Sequence, residues 1–161
     1  MAVIFVYGTL KENGENHRYL EGQVFLGEAA TESSYKLYQL DDYPGLVEAA
    51  AGGVAVAGEL WEVDDFTLRR IDVLEGTKVG LYRRGLVRLL APNEDIEAET
   101  YFYLRSVEGR EELPGAFDVQ PQKQDPHEIL GAHRSAAHRP PSAKQISIEP
   151  KAETDEPAPL D

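Results

Sequence analysis

The 161-residue sequence contains no cysteine. That excludes disulfides, thiolate metal sites and a cysteine nucleophile. Basic residues are scarce: 16 Lys and Arg stand against 29 Asp and Glu, for a formal net charge of -13 and a pI of about 4.7. Neutralising phosphates needs clustered Lys and Arg, so nucleic acid is not expected as a partner. Anionic membranes are disfavoured for the same reason. No apolar run approaches the roughly 18 residues that a membrane span requires. Also missing are a Gly-x-Ser-x-Gly elbow, a His-Glu-x-x-His zinc pattern, a Walker loop and a dinucleotide fingerprint. Met1 leads directly into an apolar segment with no basic n-region or cleavage pattern, so no secretory signal is expected. These absences leave a cytoplasmic soluble protein as the expectation. Nothing in the sequence sets the oligomeric state.

What is present begins with Ile4-Phe5-Val6-Tyr7-Gly8-Thr9-Leu10. A β-branched and aromatic run that stops at glycine reads as a buried strand entering a tight loop, because glycine tolerates positive φ and close backbone approach. The loop is either an ordinary turn or a place where the backbone N–H groups of Tyr7 to Leu10 converge on an anion. Residues 16–20 can form a helical turn with Tyr19 and Leu20 facing inward. His17 is the one histidine of the first 117 residues, and it is either bonded to backbone or part of a pocket.

Strands are expected over Gln23 to Ala29, Tyr35 to Leu40 and Gly53 to Val63, the last with Gly58 marking a bulge or the close approach of another backbone or a ligand. Tyr43-Pro44-Gly45-Leu46-Val47 suits a type II turn running into an extended piece. Asp64 or Asp65 caps a helix on which Phe66 or Thr67, Leu68, Ile71 and Leu74 recur at helical spacing, and Gly76 ends it. Leu81 to Leu90 and Ile96 to Leu104 form two strands joined by a polar hairpin loop. Short strands with one well-defined helix predict an α+β fold, a small mixed and mostly antiparallel β-barrel with flanking short helices.

The composition changes near Phe117. No aromatic residue follows it, and seven of the ten prolines fall within 118–161. Such a segment cannot bury enough apolar surface to offset its ordering entropy, so the expectation is a domain over 1–117 and a disordered tail over 118–161. His127, His133 and His138 lie in that tail with a phasing poor for a shared metal. The first 117 residues carry 21 acids and 11 bases, so the acidity belongs to the domain.

With nucleophile and metal patterns absent, carboxylate acid/base chemistry remains. Glu75 lies at the C-terminal end of the predicted helix, where the dipole and partial burial among Leu74, Tyr7 and Tyr82 both disfavour the ionised form. It is either a solvated helix-end residue or a proton-transfer group. Asp72, one turn earlier, reads as a structural residue. Tyr101 and Tyr103 share one face by strand period.

Val6-Tyr7-Gly8-Thr9-Leu10-Lys11 followed by Asn16-His17, then Ile71-Asp72-Val73-Leu74-Glu75-Gly76 and Leu81-Tyr82-Arg83-Arg84, resembles the γ-glutamylcyclotransferase-like superfamily, which includes the avirulence-induced-gene-like proteins. The resemblance spans roughly Met1 to Phe117 and is nearest to the γ-glutamylamine cyclotransferases. It implies a compact barrel with a cavity at one side and an intramolecular aminolysis. The substrate's α-amine attacks its own γ-carbonyl, giving 5-oxoproline and a free amine or amino acid. It further implies Glu75 as general acid/base, the backbone of Tyr7, Gly8, Thr9 and Leu10 as holder of the α-carboxylate, and no metal or organic cofactor. From their places on the late strands, Tyr82 and Tyr103 are expected as substrate-binding residues of the cavity, with core packing the other reading. Thr9 stands where many relatives carry Ser, and either supplies a hydroxyl. The loop from Gly76 to Leu81 departs from that branch, which leaves the leaving group open. A reading of another class is a non-catalytic module that binds a γ-glutamyl-like or other small carboxylate ligand.

Overall fold

The computed structural model describes residues 1–119. The expected tail and its three histidines lie outside the described residues, apart from Asp118 and Val119. Eight strands and one α-helix follow in the order β1 (Ala2–Val6), β2 (Val24–Ala30), β3 (Tyr35–Gln39), β4 (Pro44–Glu48), β5 (Ala57–Val63), α1 (Asp65–Leu74), β6 (Tyr82–Val87), β7 (Ala98–Tyr103) and β8 (Glu111–Leu113). Single 3-10 turns occupy His17–Leu20 and Thr77–Val79.

The strands form one mixed sheet in the order β2-β5-β1-β7-β4-β3-β8, with β6 also on β7. Among the described residues, only the β1–β7 and β4–β7 pairings are parallel. The sheet curls until its sides meet: Leu90 N donates to Ala30 O at 2.8 Å and Glu32 N to Arg88 O at 3.0 Å, tying the end of β2 to the residues after β6. The α+β, barrel-like architecture expected from the sequence is therefore present.

Strand alternation sorts the core into two bodies of apolar side chains. Phe5, Leu37, Leu46, Leu60 and Phe102 fill the inside of the curl. Ile4, Val6, Trp61, Val63 and Tyr101 point outward, where Leu20 and Ile71 from the 17–20 turn and α1 cover them. Asp64 caps α1, its side chain accepting from Thr67 N at 2.7 Å. Of the two phasings the sequence allowed for α1, Thr67 is buried and Phe66 is 65% exposed.

Two local expectations change. Pro44 and Gly45 open strand β4 rather than forming a type II turn, and the chain reverses just before them, where Leu40 N donates to Tyr43 O at 2.9 Å. Gly58 marks a close approach, since a Cβ there would lie 2.4 Å from Val6 O; the register shift of this strand pair falls in β2, between Phe25 and Gly27. Strand β8, three residues with two acids, had no signal in the sequence.

Candidate active site

The site forms where the sheet forks. One edge of β7 is taken by β6 along its whole length, from Tyr82 opposite Tyr103 to Val87 opposite Ala98. The other edge is shared by two parallel partners, β1 at Ile4–Glu99 and β4 at Leu46–Phe102. As β1 departs after Val6 and β4 enters at Pro44, backbone groups lose ladder partners, and buried ones must be satisfied otherwise. Side-chain hydroxyls do this. Tyr7 Oη donates to Tyr101 O at 2.6 Å and accepts from Leu46 N at 3.2 Å. Tyr82 Oη donates to Pro44 O at 2.8 Å, and Thr100 Oγ1 to Phe5 O at 2.8 Å.

A cavity of about 230 Å³ opens at this fork. Phe5 to Leu10 supply one wall and Asp42, Tyr43 and Pro44 another. Leu74, Glu75 and Leu81 close the helix side, while Tyr82 and Tyr101 come from β6 and β7. Glu15 and Asn16 complete the rim. Gly8 is required here by close approach, because a Cβ would lie 2.7 Å from Cγ of Pro44; its φ is not in the positive range.

After Gly8 the chain folds tightly on itself. Lys11 N donates to Gly8 O (3.1 Å), Gly14 N to Lys11 O (2.7 Å) and Asn16 N to Thr9 O (2.9 Å). Asn16 Nδ2 donates to Thr9 Oγ1 at 3.0 Å. His17 lies outside the lining and braces the loop from behind: its Nδ1–H donates to Leu10 O at 3.0 Å, and its ring packs edge-on against Trp61. In this framework the carbonyls of Gly8, Thr9 and Leu10 are all engaged, yet the N–H groups of the same residues find no acceptor among the described residues. Three consecutive free donors border the cavity.

Glu75 lines the same cavity. It caps α1, its N–H donating to Ile71 O at 2.8 Å, and Gly76 follows in the left-handed conformation at φ 64°. Three of the four phenols in the lining turn their protons elsewhere: Tyr7 to Tyr101 O, Tyr82 to Pro44 O and Tyr101 to Asp72. Burial desolvates the Glu75 carboxylate and, with no hydrogen bond among the described residues to offset this, lifts its pKa from 4.5 to about 7. The direction matches the expectation from the helix end. Burial first, and the Glu75 charge after it, push the Tyr7 phenol far above its ordinary range, so Tyr7 keeps its proton. Burial likewise raises Tyr82 and Tyr101, with Glu75 contributing to both.

Asp72 faces the sheet rather than solvent. It accepts from Arg84 Nε at 2.9 Å, from Arg84 Nη2 at 3.2 Å and from Tyr101 Oη at 2.7 Å, while Arg84 Nη1 reaches Glu99 at 2.8 Å. This network pins α1, and Glu75 with it, to β6 and β7.

Of the residues singled out from sequence, Tyr7, Gly8, Thr9, Leu10, Glu75 and Tyr82 all border the cavity. Tyr103 is not in the lining; its ring packs edge-on against Tyr82 at 5.3 Å. Sequence reasoning gave no site role to Glu15, Asn16, Asp42, Tyr43, Pro44 or Leu81. Asn16 was within reach, because it belongs to the motif that carried the resemblance. Among the described residues no three His, Asp or Glu side chains stand together to hold a metal ion, and no helix is long and apolar enough to cross a membrane.

Fold and site together define a curled-sheet α+β protein with a cavity lined both by residues with free backbone donors and by a protonatable carboxylate. The chain belongs to the gamma-glutamyl cyclotransferase, AIG2-like family, whose family model matches residues 4–118. It is 45% identical over 85 residues to "Putative gamma-glutamylcyclotransferase" of Vibrio cholerae, covering 53% of this chain and 70% of that one. Its fold is similar to the crystal structure of an AIG2-like protein from Mus musculus, with a TM-score of 0.61, 28% identity, and coverage of 80% of this chain and 92% of that one. It is also similar to an uncharacterised protein of Pyrococcus horikoshii, with a TM-score of 0.60, 29% identity, and coverage of 86% and 100%.

Proposed function

We propose that the protein is a γ-glutamyl cyclotransferase that converts a γ-glutamyl amine or γ-glutamyl amino acid to 5-oxoproline and the free amine. The observation that carries this reading is Glu75, lifted to about 7 by burial, lining one cavity of about 230 Å³ together with three residues whose backbone N–H groups are unpaired among the described residues. The N–H groups of Gly8, Thr9 and Leu10 hold the substrate's α-carboxylate. This fixes the α-amine and γ-carbonyl of the same molecule for attack, and orientation supplies much of the rate.

Glu75 in its ionised form takes a proton from the α-ammonium. The freed amine attacks the γ-carbonyl carbon, forming the new C–N bond of a five-membered ring and placing negative charge on the carbonyl oxygen. As the intermediate collapses, the bond to the leaving nitrogen breaks. Protons removed from the attacking nitrogen return through Glu75 to the departing one, so the enzyme ends in its starting state. A group with a pKa near the working pH is suited to give and take a proton in one cycle. No step in this scheme calls on a metal or organic cofactor. Tyr82 shapes the wall beside Glu75, and Tyr103 supports Tyr82 from behind.

The test is release of 5-oxoproline from a panel of γ-glutamyl compounds by wild type and Glu75→Gln. Gln keeps size and hydrogen bonding but cannot cycle a proton. Turnover by wild type, lowered about 10²- to 10⁴-fold in the variant, is the expected result. Binding of a panel member by both forms with no turnover by either would instead assign the cavity to a non-catalytic binding module.

A further inference from the structure

Tyr101 borders the cavity, is 3% exposed, and points its hydroxyl into the Asp72–Arg84–Glu99 network. A phenol has one proton and two lone pairs. Tyr101 has committed that proton to Asp72 Oδ1 at 2.7 Å, and Asp72 is in turn fixed by two bonds from Arg84, which Glu99 holds on its far side. A hydrogen bond to a carboxylate already paired with a guanidinium is strong and directional. The Tyr101 oxygen therefore has only lone pairs left to offer, and the ligand group that suits it is an N–H donor. Asp72 and Glu75 are three residues apart on α1, so both project from one face of the helix. The residue that orients Tyr101 and the proposed base are thus carried on one element.

We propose that the Tyr101 oxygen accepts a hydrogen bond from the substrate's α-amine, and that Asp72 is the positioning residue that makes this possible by holding the Tyr101 proton away from the cavity. The proposal rests on the cyclotransferase reading for the identity of the amine. It adds a requirement to that reading: the α-amine is recognised as well as used. With the carboxylate held by the loop and the amine held by Tyr101, the nucleophilic nitrogen is kept between an acceptor and Glu75.

The experiment is a binding comparison that needs no turnover. One ligand is the monoamide of glutaric acid, which has the acid and amide but no α-amine. The other is an α-amino acid of matched length with methylene in place of the γ-carbonyl, which has the amine but cannot cyclise. In Tyr101→Phe the amine-bearing ligand should bind about tenfold more weakly while the glutaric monoamide is unchanged, and KM for a turned-over substrate should rise in step. Asp72→Ala, which frees the Tyr101 proton to turn toward the cavity, should reproduce that selective loss. Unchanged binding of both ligands in Tyr101→Phe, or equal weakening of both, would overturn the proposal, the second outcome marking a purely structural residue. If wild type releases no 5-oxoproline from any γ-glutamyl compound, the cyclotransferase reading fails by itself, and selective loss of the amine-bearing ligand still reads out the Tyr101 contact.

Discussion

Glu75→Gln should make the protein more stable at pH 8 while removing its activity. The carboxyl titrates near 7 in the folded chain and near 4.5 when unfolded. Below 4.5 both states hold the proton, and Glu75 costs nothing. Between 4.5 and 7 the unfolded chain releases the proton more readily, so stability falls as pH rises. Above 7 the cost is complete. A difference of about 2.5 units at ~1.4 kcal/mol each gives about 3 kcal/mol. Gln is neutral throughout and nearly the same shape, so it should recover most of that amount, raising the melting temperature by about 10 °C for a domain of this size. Urea denaturation of both forms at pH 4.5, 6 and 8 would test this. The variant's advantage should be near zero at the lowest pH, grow through 6 and level off by 8. An advantage that does not vary with pH, or a variant less stable at pH 8, would refute the claim that an uncompensated buried charge sits at this helix end.

Other outcomes follow from the same geometry. The pH profile of kcat/KM should rise through about 7 as Glu75 ionises, and that limb should be missing from any residual activity of Glu75→Gln. Tyr7→Phe strips the partner from both Leu46 N and Tyr101 O, two buried groups at about 1–3 kcal/mol each before relaxation. Thermal denaturation should show a loss of at least ~2 kcal/mol, and turnover should fall because the fork holds the loop. Gly8→Ala drives a Cβ into the Pro44 ring. Overpacking of this kind costs about 1–3 kcal/mol, and displacement of Pro44 should raise KM; an alanine variant with native KM would show that the β1–β4 approach does not shape the cavity.

The parts of the fold readable from sequence are those set by local rules. Ile4, Phe5 and Val6 announce a strand by side-chain type, Asp64 announces the start of α1 by its capping oxygen, and Gly76 announces its end. Glu75 could be singled out for the same reason, since its place at a helix terminus is a local fact. The extended piece through Leu46 and Val47 is legible, but its start is not: Pro44 and Gly45 carry the local signature of a turn, while the cause of their extended conformation is distant, since the Pro44 ring seats against Gly8 and its carbonyl receives the Tyr82 hydroxyl. Asp72 reads from sequence as a structural residue, but nothing within a turn of it predicts its partners, Arg84 and Tyr101. Those partners arrive from β6 and β7 only once the sheet has curled.

The Tyr7 hydroxyl is a rivet through three pieces of backbone, and it sits in the same residue that opens the Gly8–Leu10 loop. A change of specificity made at the fork would therefore be felt as a loss of stability before it was felt as a new preference. Glu15 and Asp42 are exposed at the rim, and the Gly76–Leu81 loop is tied mainly to itself. Variation among relatives that handle different leaving groups should be concentrated at these margins, around a fork that stays the same.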